Sequence, residues 1–229
     1  MSCVVEIGKR RVLITGPEAR RVAESYKLQE YLTDCDEQLV INEIEVIWSK
    51  SKGNGDLLFA LIRVHTSLPN GEQVKANLVI LSGHATSVLN VYIDEFGDEW
   101  GLTVVQPRLA LGSFEFEELP AGMDDGDDPA NVAIREVEEE TTQSIDRMSL
   151  IHLGTTVPSA GLKAEKVSLF AVVHQLSRAK ILALNGIRAG LASEGEYIHT
   201  KISPLDEILK RTLDAKAQLS ILLYMNLKK

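Results

Sequence analysis

The residues best suited to chemistry lie between Leu119 and Thr142, in LPAGMDDGDDPANVAIREVEEETT. Glu136, Glu139 and Glu140 stand at i, i+3 and i+4, which puts them on one face of a helix, with Glu138 pointing away and Arg135 at the edge. Such a face is unfavourable alone: at an effective dielectric near 20, two carboxylates about 4 Å apart repel by about 4 kcal/mol. A hard divalent cation reverses the sign, and Mg²⁺ needs only a few carboxylates plus substrate phosphates. Taken alone, a run of Glu also reads as a solvated acidic face.

Several elements must position these carboxylates. Pro129 sits where a first-turn proline is tolerated, and Asp127 or Asp128 before it can cap the exposed amides. Ala130, Ala133, Ile134 and Val137 then recur at helical spacing as one apolar stripe. The spacing predicts a tight loop, a capped start and an amphipathic helix.

The acidity is local. The 229-residue chain carries −9 overall, but Glu115 to Glu140 holds eleven acids and one base, while the rest of the chain sums to +1. No basic stripe suggests a nucleic-acid surface. A composition 45% hydrophobic and 25% charged is that of a globular protein, and the length allows a large domain plus an appendage. Cys3 and Cys35 have no metal-ligand spacing, and the five histidines are scattered. No apolar run reaches membrane-spanning length, and the start MSCVVEIGKRRVLITG has its apolar patch ahead of its basic residues, the reverse of a signal peptide. A cytoplasmic protein with no membrane partner is expected.

In chain order, Pro17 to Thr33 reads as an amphipathic helix. Residues 38–82 read as a three-stranded antiparallel meander, because Lys52-Gly53-Asn54-Gly55 and Pro69-Asn70-Gly71 punctuate β-branched runs. Val88 to Ile93, Leu102 to Val105, Phe114 to Leu119, Leu150 to Thr156, Lys166 to His174 and Ile198 to Ile202 follow as strands, with residues 190–197 a polar loop. Ser203 as cap with Pro204 predicts a helix start, and a last helix runs from about Ala215 to Leu227. Trp48 could stack on a base, although a strand tryptophan more often packs.

Read as a unit, Gly122 and Arg135-Glu136-Val137-x-Glu139-Glu140 resemble the box of the Nudix hydrolases. The segment between Gly122 and Arg135 is one residue short, an Asp stands for the box's first Glu, and Thr142-Gln143 replaces its closing Gly and bulky apolar residue. From about residue 78 to 227 the chain is similar to the ADP-ribose and ADP-sugar pyrophosphatase branch, the plant-type enzymes above all. Carrying this are Gln106-Pro107-Arg108, Glu118-Leu119-Pro120-Ala121-Gly122-Met123, Val157-Pro158-Ser159-Ala160-Gly161, Ser193-Glu194-Gly195-Glu196-Tyr197 and Leu213-Asp214-Ala215-Lys216.

The resemblance implies an α/β fold: an α/β/α sandwich with a mixed sheet (residues 83–229), preceded by a small antiparallel β domain (residues 1–82) that forms a two-fold homodimer. It implies Mg²⁺-dependent (or Mn²⁺-dependent) hydrolysis of a nucleoside diphosphate sugar, giving AMP and a sugar phosphate. Metal ligands would be Glu136, Glu140, the Ala121 carbonyl and Glu196. Glu139 would support them and Arg135 would orient the glutamates. Glu196 or Glu194 would act as base, while Arg108 and Glu118 would line the substrate pocket. Action on another nucleoside diphosphate derivative, or non-catalytic nucleotide sensing, are the alternatives.

Overall fold

The computed structural model describes residues 2–190 and 197–228. In chain order its first elements are β1 (Ser2–Ile7), β2 (Arg10–Thr15), α1 (Ala19–Glu24), α2 (Tyr26–Asp34), β3 (Val40–Ser51), β4 (Leu57–Ser67) and β5 (Gln73–Leu81). There follow β6 (Ala85–Ile93), β7 (Glu99–Arg108), β8 (Ser113–Glu118), β9 (Ala121–Met123), α3 (Pro129–Thr141), β10 (Ile151–Thr156), β11 (Lys163–Ala164) and β12 (Val167–Gln175). The chain closes with α4 (Arg178–Leu182), β13 (Arg188–Ala189), β14 (Ile198–Pro204), α5 (Leu205–Arg211) and α6 (Ala215–Leu227). Two compact units result, one of Met1–His84 with Ser159–Lys166, the other of Ala85–Pro158 with Val167–Lys229.

The first unit is a six-stranded sheet in the order β1-β2-β3-β4-β5-β11. Its centre, β3-β4-β5, is the antiparallel meander read from the turns. The sheet as a whole is mixed, because β2 joins β3 and β11 joins β5 in parallel. One face, through Val12, Ile14, Ile44, Val46, Ala60, Ile62 and Val64, packs against Ala19, Val22, Leu28 and Leu32 of the helices. Those helices are two and not one. Ser25 turns extended (φ −73°, ψ 139°), and its side chain accepts the Leu28 N–H, so α2 starts afresh behind its own cap.

The second unit is an eight-stranded sheet, β10-β12-β6-β7-β14-β13, with β8 paired to β7 and β9 to β6. Among the described strands only β12–β6 is parallel, so the sheet is mixed. Alternation along β6 sends Val88 to one side, with Phe170 and Val172, against Ala133 and Val137 of α3. Leu89 and Val91 go to the other side, with Ala171, against Leu205, Ile208, Ala217, Ile221 and Tyr224 of α5 and α6. This is the α/β/α sandwich. Ser203 does not cap the following helix. β14 continues through Pro204, which stands at the cap position with no side-chain acceptor, and the Ser203 hydroxyl instead accepts from Arg211.

Candidate active site

The site begins with the start of α3. Asp128 is its N-cap and accepts the Ala130 N–H at 2.9 Å, with Pro129 in the first turn. The neighbouring turn at Arg147 adds an ion pair to Asp128 at 3.0 Å, and together these hold the Asp128 carboxyl below the usual carboxylate range. Val132, Ala133 and Val137 are buried, which fixes the rotation of α3 and aims its carboxylates.

Glu136 and Glu140, one turn apart, converge on adjoining residues of β9. The Ala121 N–H donates to Glu140 Oε2 at 3.1 Å, and Glu140 is only 5% exposed. The Glu136 carboxyl lies against Gly122 so closely that a Cβ there would sit 2.0 Å from its carboxyl carbon. Gly122 is therefore a glycine because a carboxylate occupies its side-chain space. β9 is itself fixed by antiparallel pairing to β6, with Ala121 opposite Ser87 and Gly122 opposite Thr86.

Arg135 ties this corner together. Its Nη2 donates to Glu136 Oε1 at 3.1 Å and to the Met123 carbonyl at 3.2 Å, and its Nη1 lies 3.8 Å from Asp127. The loop is one residue short of the Nudix pattern and holds Asp125 (φ 50°) and Gly126 (φ 85°) in left-handed conformations. Asp124, buried, accepts the Thr86 hydroxyl at 2.7 Å. At the other end, Thr142 takes φ 58° as the C-cap of α3, where the box has glycine.

Glu139 is half-buried, and its backbone carbonyl accepts the Gly190 N–H at 3.0 Å. The other acids proposed for this corner, Glu194 and Glu196, lie outside the described residues. Trp48 belongs to the first unit, is 50% exposed and packs against Phe59 with ring centroids 5.3 Å apart.

Arg108 and Glu118 form a pair. Arg108 Nε donates to Glu118 Oε1 at 2.6 Å, and Glu118 is 3% exposed. Burial works against the Arg108 charge, but Glu118, with Glu140 and Asp214 further off, outweighs it and raises the pKa. Glu117, the next residue on β8, faces the opposite way and takes Lys201 at 2.6 Å and Arg211 at 2.6 Å. The resemblance singles out Glu118 for the pocket and says nothing of Glu117. It also assigned no role to Asp214 and Lys216, which the fold brings beside Glu118, although an Asp before a helical run is a readable cap signal.

As a metal site, the donor set is hard oxygen throughout. Among the described residues no three His, Cys, Asp or Glu side chains are grouped as a metal site. The two α3 carboxylates beside the Ala121-Gly122 backbone fit an ion of the Mg²⁺ type, which leaves most of its coordination to water and substrate phosphates.

No family model matches the chain. Over 158 residues, 64% of its length, it is 32% identical to Nudix hydrolase 14, chloroplastic, of Arabidopsis thaliana. Over that stretch the chain is similar to a Nudix hydrolase. It spans about half the length of that curated relative, the match covering 50% of it. The fold matches a solved structure described as an ADP compounds hydrolase with a TM-score of 0.58 at 15% identity, covering 85% of this chain and 96% of that one. That second likeness shows the fold alone. No described helix is long and apolar enough to cross a membrane.

Proposed function

We propose that the chain hydrolyses the pyrophosphate bond of ADP-ribose or an ADP-sugar, giving AMP and a sugar phosphate, with Mg²⁺ as cofactor. The observation that carries this reading is the convergence of Glu136 and Glu140 on Ala121 and Gly122. Two carboxylates held there by a helix with one buried face would repel a pyrophosphate unless a cation stood between, so the corner suits a cation with a phosphate substrate. Likeness to a chloroplastic Nudix hydrolase, and in fold to an ADP compounds hydrolase, supports it.

A divalent cation held by Glu136, Glu140 and the Ala121 carbonyl would neutralise the phosphates and lower the pKa of a bound water. The chain's own residues supply the frame. Arg135 holds Glu136 in its rotamer, the Ala121 N–H holds Glu140, and Arg108 on the same side of the unit offers a guanidinium to a phosphate or the linked sugar. Glu139 supports the pair. Glu196, with Glu194 second, is the proposed proton acceptor. Incubating the protein with a panel of nucleotide sugars and dinucleotides, with Mg²⁺ or a chelator, tests this: AMP with the matching sugar phosphate is expected, and no cleavage of any of them would refute it.

We further propose that the first unit makes a two-fold homodimer. The sheet face away from α1 and α2 carries Leu13, Trp48 and Leu78, all exposed, around the Glu45–Arg63 ion pair. Exposed apolar side chains beside charges of both signs suit self-association, and a concentration-independent monomer in sedimentation would exclude it. The free thiols Cys3 and Cys35 suit a reducing compartment, for which the cytoplasm is the simplest reading.

A further inference from the structure

We propose that Asp214 and Lys216 are positioning residues that hold Glu118, and through it Arg108, in place to receive a nucleoside diphosphate. This rests on the pyrophosphatase reading and names parts of the site that the helix carboxylates do not include.

The geometry forms a chain of alternating charge. Lys216 Nζ lies 2.8 Å from Asp214 Oδ1 and 3.7 Å from Glu118 Oε2, and the other Glu118 oxygen accepts Arg108 Nε at 2.6 Å. Both carboxylates are almost wholly buried, at 3% and 4% exposure, whereas the Arg108 side chain is 43% exposed. Among the described residues the Nη1 and Nη2 groups of Arg108 donate to nothing. The chain thus ends in an open guanidinium fork, the geometry that suits a phosphate.

Asp214 has more to do than pair. It caps α6 by accepting the Lys216 N–H at 3.1 Å, and its second oxygen accepts the Leu119 N–H at 3.3 Å. Leu119 and Pro120 lead directly into Ala121 and Gly122, so the α6 cap also fixes the strand beneath the two α3 carboxylates.

Charge balance gives the pair a signature that packing alone would not. With Lys216 in place, two acids face two bases. Without it, Glu118 and Asp214 share Arg108 alone, with Glu140 of α3 adding to the negative field on that arginine. The uncompensated acids then draw the fork inward, which removes Arg108 from its ligand.

The test is calorimetric titration of ADP, without metal, into the intact wild type, Lys216→Met, Lys216→Arg and the charge-balanced double variant Asp214→Asn/Lys216→Met. Asn keeps both an acceptor and the helix cap, so the double variant also guards against loss of folding. Lys216→Met is expected to weaken ADP about tenfold. Lys216→Arg and the double variant are expected to stay within about threefold. Wild-type affinity in Lys216→Met, or a double variant as weak as the single, would overturn the proposal. ADP-ribose turnover is measured on the same proteins. A wild type that binds ADP without cleaving ADP-ribose defeats the catalytic reading, while the binding series still decides the roles of Asp214 and Lys216.

Discussion

Gly122→Ala is the most informative single change, because it adds one methyl group at a known distance from a proposed metal ligand. The new Cβ would lie 2.0 Å from the Glu136 carboxyl carbon and 2.1 Å and 2.3 Å from its oxygens, where ordinary contact begins near 3.4 Å. The carboxylate must therefore retreat by at least about 1.4 Å, the difference between those separations. It is the free end of a flexible side chain, so retreat is cheap for the fold. The move breaks the pair with Arg135, which is worth about 0–1 kcal/mol at this exposure, and the alanine regains about 0.4–1 kcal/mol through the unfolded chain. The two nearly cancel, and the unfolding free energy is expected within about 1 kcal/mol of wild type. Catalysis has no such compensation, since an ångström of misplacement costs about 10²-fold. Urea unfolding followed by circular dichroism, beside steady-state release of AMP from ADP-ribose, reads both quantities. Wild-type kcat in the alanine variant would rule out Glu136 as the metal ligand, and so would a destabilisation above about 3 kcal/mol, because the site would then be a structural feature.

Thr142→Gly relieves a β-branched residue at φ 58° and should raise stability by about 1 kcal/mol net of glycine's backbone entropy, seen as a Tm higher by about 2–4 °C. Burial pushes the Glu117 carboxyl up, but hydrogen bonds from Arg211, Lys201 and Thr103 outweigh it and hold the pKa at about 2 against 4.5 when free. A lowered folded pKa means stability that is complete above the unfolded value and lost as pH falls from about 4.5 toward 2, so Glu117→Gln should cost up to about 3 kcal/mol at pH 7 and flatten that acid limb. Glu140→Gln keeps an acceptor for the Ala121 N–H but removes charge, and should lower kcat by about 10²-fold or more with little change in Tm.

What could be read in the sequence was local. A proline at the first turn, an Asp beside it and a 3–4 apolar spacing all lie within or next to α3, and they mark its start and its buried side. The same holds for the meander, whose turns are written in Asn-Gly and neighbouring glycines. Elements that depend on distant partners were not readable. β1 and β2 carry Lys9, Arg10 and Arg11 around their turn, and β2 finds its place only by parallel pairing with β3. Ser25 breaks what looks like one amphipathic helix, because a serine serves helix interior and cap alike until the fold chooses. In the site, Glu117 and Glu118 look equivalent as neighbours. Strand alternation separates them, and the cations that distinguish them, Lys201 and Arg211 for one and Lys216 for the other, arrive from far along the chain. The last helix shows the same limit: its inward residues are Ala217, Ser220, Ile221 and Tyr224, while Leu222 is 53% exposed.

The central claim is that Glu136 and Glu140 hold the cation on which pyrophosphate cleavage depends. Its most direct test is the initial rate of AMP release from ADP-ribose as Mg²⁺ is titrated into metal-stripped wild type, Glu136→Gln and Glu140→Gln. A wild-type rate that rises from near zero to saturation with Mg²⁺ is expected, and in both variants a saturating rate lower by about 10²-fold or a rise displaced to much higher Mg²⁺. Overlapping curves for the three proteins, or turnover in the stripped wild type equal to that with Mg²⁺, would contradict it.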